Sequence, residues 1–297
     1  MTTQTALQRI LPAPRGDRRR VRRNRAQLTA GAVVVAAVVL ATLLAPVVAP
    51  YDPYLSEPTR KFLEPGTAGH LLGTDELGRD LLSRVLWGGR SSLLLALAAV
   101  ALATVVGSAA ALFAGFTGPR LSGLIMRTVD VLFAFPVILV AIALAALLSP
   151  GPAVIVLAIV FTVVPYVTRV VFAEVKQQRE LEYVEAAVSL GAGRSSLVVR
   201  EVLPNIIGTI VVYGTSLVGT MVVFSASLSA VGIGVQPPEP DWGQMIASGA
   251  KVVISGHLYV ALVPGLMVLI VALAFNWLGD GLNDVLNNRT QTGKADR

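Results

Sequence analysis

Long apolar stretches without a charged residue alternate with shorter polar stretches along the chain. The charge-free stretches cover 28–48, 91–119, 131–168, 202–238 and 252–279. A helix needs about 20 apolar residues to cross a membrane, so every stretch can hold a span. The third stretch is long enough for two, and Ser149-Pro150-Gly151-Pro152 predicts a tight turn between them. We therefore predict an all-α integral membrane protein with six transmembrane helices and both termini on the same side.

The first apolar stretch follows a basic arm, residues 1–27, in which seven arginines lie between Arg15 and Arg25. The apolar core of a secretory signal has about 7–15 residues, which is shorter than this stretch. The small residues around 45–49 resemble a cleavage site, so a cleaved signal is the alternative. We expect a retained first transmembrane helix at 28–50.

The basic residues are placed unevenly between the two sides of the membrane. Of the 24 Lys and Arg residues, those on the side opposite the termini are only Arg60, Lys61, Arg79, Arg84, Arg90 and Lys251. Cytoplasmic loops carry the excess of Lys and Arg. Both termini, the tail at 283–297 and the loop at 169–201 are therefore predicted to be cytoplasmic, and 51–90 and 236–257 to be external.

The composition supports a membrane protein and excludes several other classes. Charged residues make up 14% of the chain, against about 25% in soluble domains, and the mean hydropathy is +0.71. These values exclude a disordered chain, a coiled coil, a nucleic-acid module and most soluble enzymes. The absence of cysteine removes disulfides, thiolate metal sites and thiol nucleophiles.

The chain offers no energy source of its own. It has no glycine-rich phosphate loop ending in Gly-Lys-Ser/Thr, and His70 and His257 lie too far apart in the sequence to suggest a metal site. Ion-driven transporters bury charged groups at mid-membrane. Asp130 comes nearest to that depth, and we expect it to pair with Arg127 at the interface. We predict no catalytic residue, no metal and no cofactor on this chain.

The loop after the fourth apolar segment has the pattern of a helix-turn-helix hairpin. Leu181, Val184, Ala187 and Val188 mark one face of a first helix. Gly191 and Gly193 are expected to end it in left-handed conformations. Ser195 or Ser196 is expected to cap a second short helix reaching Arg200, and Pro204 to open the fifth span. A hairpin this small requires a protein partner.

The residues of this loop resemble a known motif. Glu185-Ala186-Ala187, Gly191 and Leu203-Pro204 resemble the EAA loop of binding-protein-dependent ATP-binding-cassette permeases. The resemblance implies a coupling helix, within the loop at 173–204, that sits in a groove of an ATPase subunit. Glu185 would contact the ATPase, Ala186 and Ala187 would allow close packing, and Gly191 would make the turn. Glu201 departs from the family, which often has an apolar residue there, and Val202 can substitute.

The external segment carries a second resemblance. Gly73, Thr74, Asp75, Gly78, Arg79 and Asp80 are similar to the corresponding segment of the C-type permease subunit of dipeptide, oligopeptide and nickel transporters, and so is the stretch 232–243. This implies a type I importer permease with the MetI-like fold, a core of five transmembrane helices at 91–282, and a place in the bacterial plasma membrane.

The same resemblance implies partners and a cargo. The partners would be a second homologous permease, two ATPase subunits that carry ATP and Mg, and an extracytoplasmic binding protein. Short peptides are the expected cargo, with nickel, glutathione or haem as alternatives. From the residues alone, a secondary transporter or channel acting alone, or a membrane scaffold, is the alternative function.

The external segment itself also predicts a helix. Thr74 is placed to cap it, with Asp75 and Glu76 in the first turn. The apolar stripe of this helix would comprise Leu77, Leu81, Leu82, Val85 and Leu86. Such an amphipathic helix on the outer surface would receive a binding protein or seal the helix bundle.

Hydroxyl groups recur along the fifth span. The stripe consists of Thr209, Tyr213, Ser216, Thr220 and Ser227. Hydroxyl side chains commonly join helices to one another inside membranes. The alternative is that the stripe lines a polar translocation path beside a second permease subunit.

Overall fold

The computed structural model describes the backbone of residues 16–67 and 69–295, and the side chains of 26–67 and 69–285. The helices are α1 (Gly16–Leu43), α2 (Ala45–Val48), α3 (Leu81–Phe116), α4 (Pro119–Phe133), α5 (Val137–Leu148), α6 (Pro152–Arg179), α7 (Glu182–Ser189), α8 (Arg194–Ser196), α9 (Leu203–Ala230), α10 (Trp242–Val252) and α11 (Tyr259–Ala295). A π-helical segment, Leu197–Val202, joins α8 to α9. Two isolated bridges are the only β pairing within these ranges.

Five helical runs are long and apolar enough to cross a membrane: α1, α3, α6, the continuous run from α8 to α9, and α11. The pair α4 and α5, bent by 86°, makes a sixth span if it is counted as one. The expectation of an all-helical membrane protein with about six spans is confirmed. The arginine side chains of the basic arm and those of the tail beyond 285 lie outside the described side chains, and residues 1–15 lie outside the described backbone.

The third span differs from the straight helix that the apolar pattern indicates. Its chain bends at Ala134-Phe135-Pro136, between α4 and α5. Proline disfavours the helical conformation in the residue before it, so Phe135 cannot continue α4. With 12 residues, α5 rises about 18 Å and cannot cross a hydrocarbon layer of about 30 Å alone. The predicted turn at 149–151 is present, and α6 begins at Pro152.

The core is built on the close packing of α3 against α6. Helix α3 buries small residues, among them Ala96, Ala103 and Gly107. A Cβ at Gly107 would lie 3.0 Å from the carbonyl oxygen of Val164, and the Thr168 hydroxyl donates to the Gly107 carbonyl over 3.2 Å. Small residues thus bring two backbones close together. Helix α9 packs on both helices and on α11, and α11 packs on α1.

Helix α10 packs among α3, α9 and α11. Asp241 caps it, with Oδ1 accepting from the Gln244 amide over 3.1 Å and Oδ2 2.7 Å from the Ser92 hydroxyl oxygen. The fully buried Trp242 donates from its indole nitrogen to the Val85 carbonyl over 2.9 Å. The segment before α10 is tied to the segment 51–90, because the Tyr54 hydroxyl donates to Glu239 over 2.9 Å.

The buried Asp241 predicts a stability effect that depends on pH. Burial raises the pKa of its carboxyl group, and the hydrogen bonds from Ser92 and Gln244 oppose this rise. Because the folded protein then holds this proton more tightly than the unfolded chain, the contribution of Asp241 to stability falls as the pH rises from about 4 through the raised pKa. We expect Asp241→Asn to remove this component while keeping a hydrogen-bond acceptor.

The measurement is thermal unfolding in detergent between about pH 4 and pH 8. Asp241→Ala should lower the free energy of unfolding by about 1–3 kcal/mol, because buried donors lose their acceptor. The exposed Asp52 provides a control, and Asp52→Asn should leave the pH profile as it is in the wild type. Identical profiles for the wild type and Asp241→Asn would contradict the prediction.

Candidate functional site

The predicted hairpin is present, and its turn is fixed by backbone hydrogen bonds. Helix α7 ends at Ser189, and Gly191 then adopts a left-handed conformation with φ +83°. The Gly191 amide donates to the Val188 carbonyl over 2.9 Å and the Ala192 amide to the Ala187 carbonyl over 3.0 Å. This pair of bonds defines a Schellman motif. The turn expected at Gly191 is confirmed.

The second arm of the hairpin differs from the expectation. Gly193 has φ −71° and precedes α8 as its N-cap, so it does not end α7 as predicted. No side chain caps α8, and the capping role predicted for Ser195 or Ser196 is therefore wrong. The arm instead runs through the π-helical segment into α9.

The π-helical segment has a local cause. Pro204, in the first turn of α9, has no amide hydrogen to donate to the Arg200 carbonyl, and its ring crowds that oxygen. The wider π turn relieves this crowding. The fifth span begins at Leu203 with Pro204 in its first turn, so the start expected at Pro204 is confirmed to within one residue.

The inner face of the hairpin is joined to the membrane core. Val184 and Leu197 are buried in the same apolar cluster as Val175 of α6. The Tyr183 hydroxyl donates to the Gln178 side chain over 2.7 Å and accepts from the Asn205 side chain over 3.3 Å. The hairpin is thus anchored both to the end of α6 and to the start of α9.

Three exposed apolar side chains lie on the hairpin beside the exposed Glu185, and we call these four residues the docking patch: Leu181, Glu185, Val188 and Leu190. The first three recur at helical spacings of four and three, and Leu190 is 90% exposed. Ala186 is exposed as well, and Ala187 is half-buried. Of the face predicted from periodicity, Leu181 and Val188 are exposed, because the core contacts α7 through Tyr183, Val184 and Ala187. The periodic pattern does not include Leu190, because this residue follows Ser189, the last residue of α7.

The six residues of the external motif come together in one buried cluster. Asp75 organises it, with Oδ1 accepting from the Leu77 and Arg79 amides over 2.9 Å each. Its Oδ2 lies 2.7 Å from Nε of Arg79 and 3.4 Å from Nε of Arg84. Gly73 and Gly78 have φ near +78°, and a Cβ at either one would collide with a carbonyl oxygen of the segment 57–63.

The helix expected to begin at Thr74 begins at Leu81. Asp80 caps it, with Oδ2 accepting from the Ser83 amide over 2.7 Å. The Thr74 hydroxyl is used elsewhere, since it accepts from the Leu63 amide over 2.9 Å and donates to the Arg60 carbonyl. The two glycine turns hold the stretch before Leu81 in a non-helical bridge between Thr74 and Asp80. A separate amphipathic helix on the outer surface is therefore absent from the described residues, and the apolar stripe from Leu81 onward belongs to the first turns of α3.

The two histidines and Asp130 have partners within the protein. His70 Nδ1 lies 2.8 Å from Asp80 Oδ1, and His257 stacks on Phe62 with ring centroids 4.1 Å apart. Within the described residues, no three His, Asp or Glu side chains form a group that could hold a metal ion. Asp130 pairs with Arg169 of α6, not with Arg127 as predicted, because α4 packs against α6.

The hydroxyl stripe of α9 divides into two parts. Thr209 and Ser216 are half-buried, and Ser216 packs so closely on Gly279 of α11 that no Cβ would fit there. Tyr213, Thr220 and Ser227 are exposed on the surface of the isolated chain. The structure thus gives Ser216 a packing role. The other three hydroxyls lie on the exposed surface, where that of Ser227 donates to the Val223 carbonyl of its own helix over 2.9 Å.

Sequence comparison identifies relatives over most of the chain. Residues 107–292 match the family "binding-protein-dependent transport system inner membrane component", and 18–65 match the N-terminal transmembrane domain of oligopeptide transport permease C. The di/tripeptide transport system permease protein DppC of Pseudomonas aeruginosa is 43% identical over 82% of this chain and 81% of its own length. The glutathione transport system permease protein GsiD of Pectobacterium atrosepticum is 38% identical over 76% and 75%. The probable D,D-dipeptide permease DdpC of Escherichia coli is 35% identical over 86% and 85%.

Structure comparison agrees on the fold. The MetNI methionine transporter in an inward-facing conformation has a chain that matches with a TM-score of 0.55 and 18% identity. The match covers 68% of this chain and 96% of the other. The MetI-like permease fold and the location in the bacterial inner membrane are therefore confirmed. The chain belongs to the family of binding-protein-dependent transport system inner membrane components, the permease subunits of ATP-binding-cassette transporters.

Proposed function

We propose that this chain is one of two permease subunits of an ATP-driven importer of short peptides. The observation that carries the proposal is the anchored hairpin with three exposed apolar side chains, in a chain that is 43% identical to a di/tripeptide permease. Glutathione, itself a peptide, is the second candidate cargo, because a relative named for glutathione transport is 38% identical.

In this proposal the docking patch binds an ATPase subunit. Leu181, Val188 and Leu190 supply apolar contacts, and Glu185 supplies a polar one beside them. ATP and Mg are bound by the ATPase subunits, and their closure moves the hairpin. Because Val184 and Leu197 join the hairpin to the core, that movement passes directly to α6 and α9.

The cargo path is proposed to lie along the exposed face of α9, beside the second permease. Tyr213, Thr220 and Ser227 present hydroxyls there without a fixed charge. A peptide backbone needs hydrogen-bond partners and binds poorly next to a desolvated charge. The external motif has a structural role in this proposal. Its charged groups are buried, and they hold in place the segment that an extracytoplasmic binding protein would contact at the entrance of the path.

The turn of the hairpin can be tested with two glycines. Gly191→Ala forces a left-handed conformation that costs about 1–2 kcal/mol, and no neighbouring atom opposes the added methyl group. We expect it to misdirect the hairpin and reduce transport-coupled ATP hydrolysis in proteoliposomes, while membrane insertion is unchanged. Gly193→Ala is the matched control, since Gly193 has a negative φ and open space. Equal loss in both variants would argue against a role for the turn.

The docking patch can be tested with a charge. Leu190→Glu should abolish co-purification of the ATPase subunits, because a carboxylate would be desolvated in the interface. Ile254→Glu is the control, because Ile254 is comparably exposed and lies on the external side of the proposed topology. Full ATPase binding by Leu190→Glu would refute the assignment of the patch.

The path can be tested at exposed positions of α9 that have no part in helix packing. Thr220→Leu should reduce peptide uptake several-fold without changing thermal stability, because it removes a hydroxyl from an open surface. Ser216→Leu should instead lower stability, because it collides with Gly279. Wild-type uptake by a combined Tyr213→Leu and Thr220→Leu variant would show that these hydroxyls do not line the path.

A further inference from the structure

A groove lies between the end of α3 and the second arm of the hairpin. Its volume is about 530 Å³, and we call it the interfacial groove. Leu112, Phe113 and Phe116 form the wall on α3, and Val198 and Val199 form the opposite wall. On the hairpin, only residues of the second arm line the groove, and none of the docking-patch residues does.

The walls of the groove are apolar and open. Phe113 is 58% exposed and Val199 is 61% exposed. Since α3 is a membrane span, the wall around Phe113 lies within or at the edge of the hydrocarbon layer, and the groove runs from there toward the loop after Phe116. An apolar chain that enters from the bilayer would bury this surface.

The polar end of the groove carries positive charge. Arg194 lines it, and its guanidinium forms no ion pair with a described residue. Arg179 contacts the α3 wall from outside the groove lining, because it donates to the Gly115 carbonyl and stands 5.2 Å from the ring of Phe116. None of the described residues that line the groove is acidic, and the hydroxyls of Thr117 and Ser195 complete its polar end.

We propose that the interfacial groove binds an anionic phospholipid. One acyl chain lies between Phe113 and Val199, and the headgroup phosphate meets the guanidinium of Arg194. Guanidinium groups match phosphate geometry well, and basic pockets between membrane helices on the cytoplasmic side bind anionic headgroups. The lipid would join α3 to the hairpin arm at the point where the proposed coupling movement enters the membrane.

The experiment uses the full-length chain, stripped of lipid in a detergent with a neutral headgroup. Phosphatidylglycerol and phosphatidylcholine with the same acyl chains are titrated, and the bound lipid is counted by native mass spectrometry. We expect phosphatidylglycerol to bind at least about fivefold more tightly, the ratio that one basic residue near the headgroup provides. Arg194→Gln should reduce that preference by a similar factor.

A matched control removes the same charge a few residues away. Arg200 is exposed on the π-helical segment and does not line the groove, so Arg200→Gln should retain the preference. Phe113→Ser should weaken the binding of both lipids, because it removes part of the apolar wall. Thermal unfolding confirms that each variant is folded before it is scored.

Four results would overturn the proposal. Equal binding of the two lipids would show that the groove binds an acyl chain without recognising the charge of the headgroup. Retained preference in Arg194→Gln would place the phosphate elsewhere, and displacement of the lipid by millimolar inorganic phosphate would show a free-anion site. Loss of the bound lipid when the ATPase subunits are added would show that the groove is a protein interface.

Discussion

The close approach of α3 and α6 is the contact on which the rest of the structure depends. Lipid tails are as apolar as Leu or Val, so burial from water does not hold membrane helices together. Close packing of small residues does so instead, and Gly107 brings the backbones of the two helices together. Each helix extends beyond the shared core at one end. The external cluster caps the start of α3, and the hairpin follows the end of α6.

Features that a short stretch of sequence determines could be predicted, and features that tertiary contacts determine could not. The apolar stretches predict the spans, and Gly191 predicts the turn, because the cause of each is local. Asp80 and Thr74 are both suitable helix caps in the sequence, and only the position of the segment 57–63 assigns the Thr74 hydroxyl to other partners. The pairing of Asp130 with Arg169 likewise depends on the packing of α4 against α6.

The candidate site shows the same division. The resemblance to the EAA loop marks Glu185 and Gly191, and the structure separates the outward side chains of that loop from those that anchor it. An eight-residue helix spans about two turns, which is too short for periodicity to distinguish its buried face from its exposed one. Leu190 has no signal in the pattern at all. The external motif differs, because the sequence does signal its charged side chains. These side chains suggest a binding site, but the structure buries them against one another.

The turn at Gly191 is held by two backbone hydrogen bonds and no side chain. The direction of the hairpin depends on these backbone bonds and on the buried side chains of Val184 and Leu197, whereas the side chains of Val188 and Leu190 near its tip are exposed. In the proposed function, the exposed side chains at Leu190 and Val188 can be exchanged to suit another ATPase without altering the buried contacts that hold the hairpin. Under the proposed function, the choice of ATPase and the transmission of its movement are then separate properties of the same hairpin.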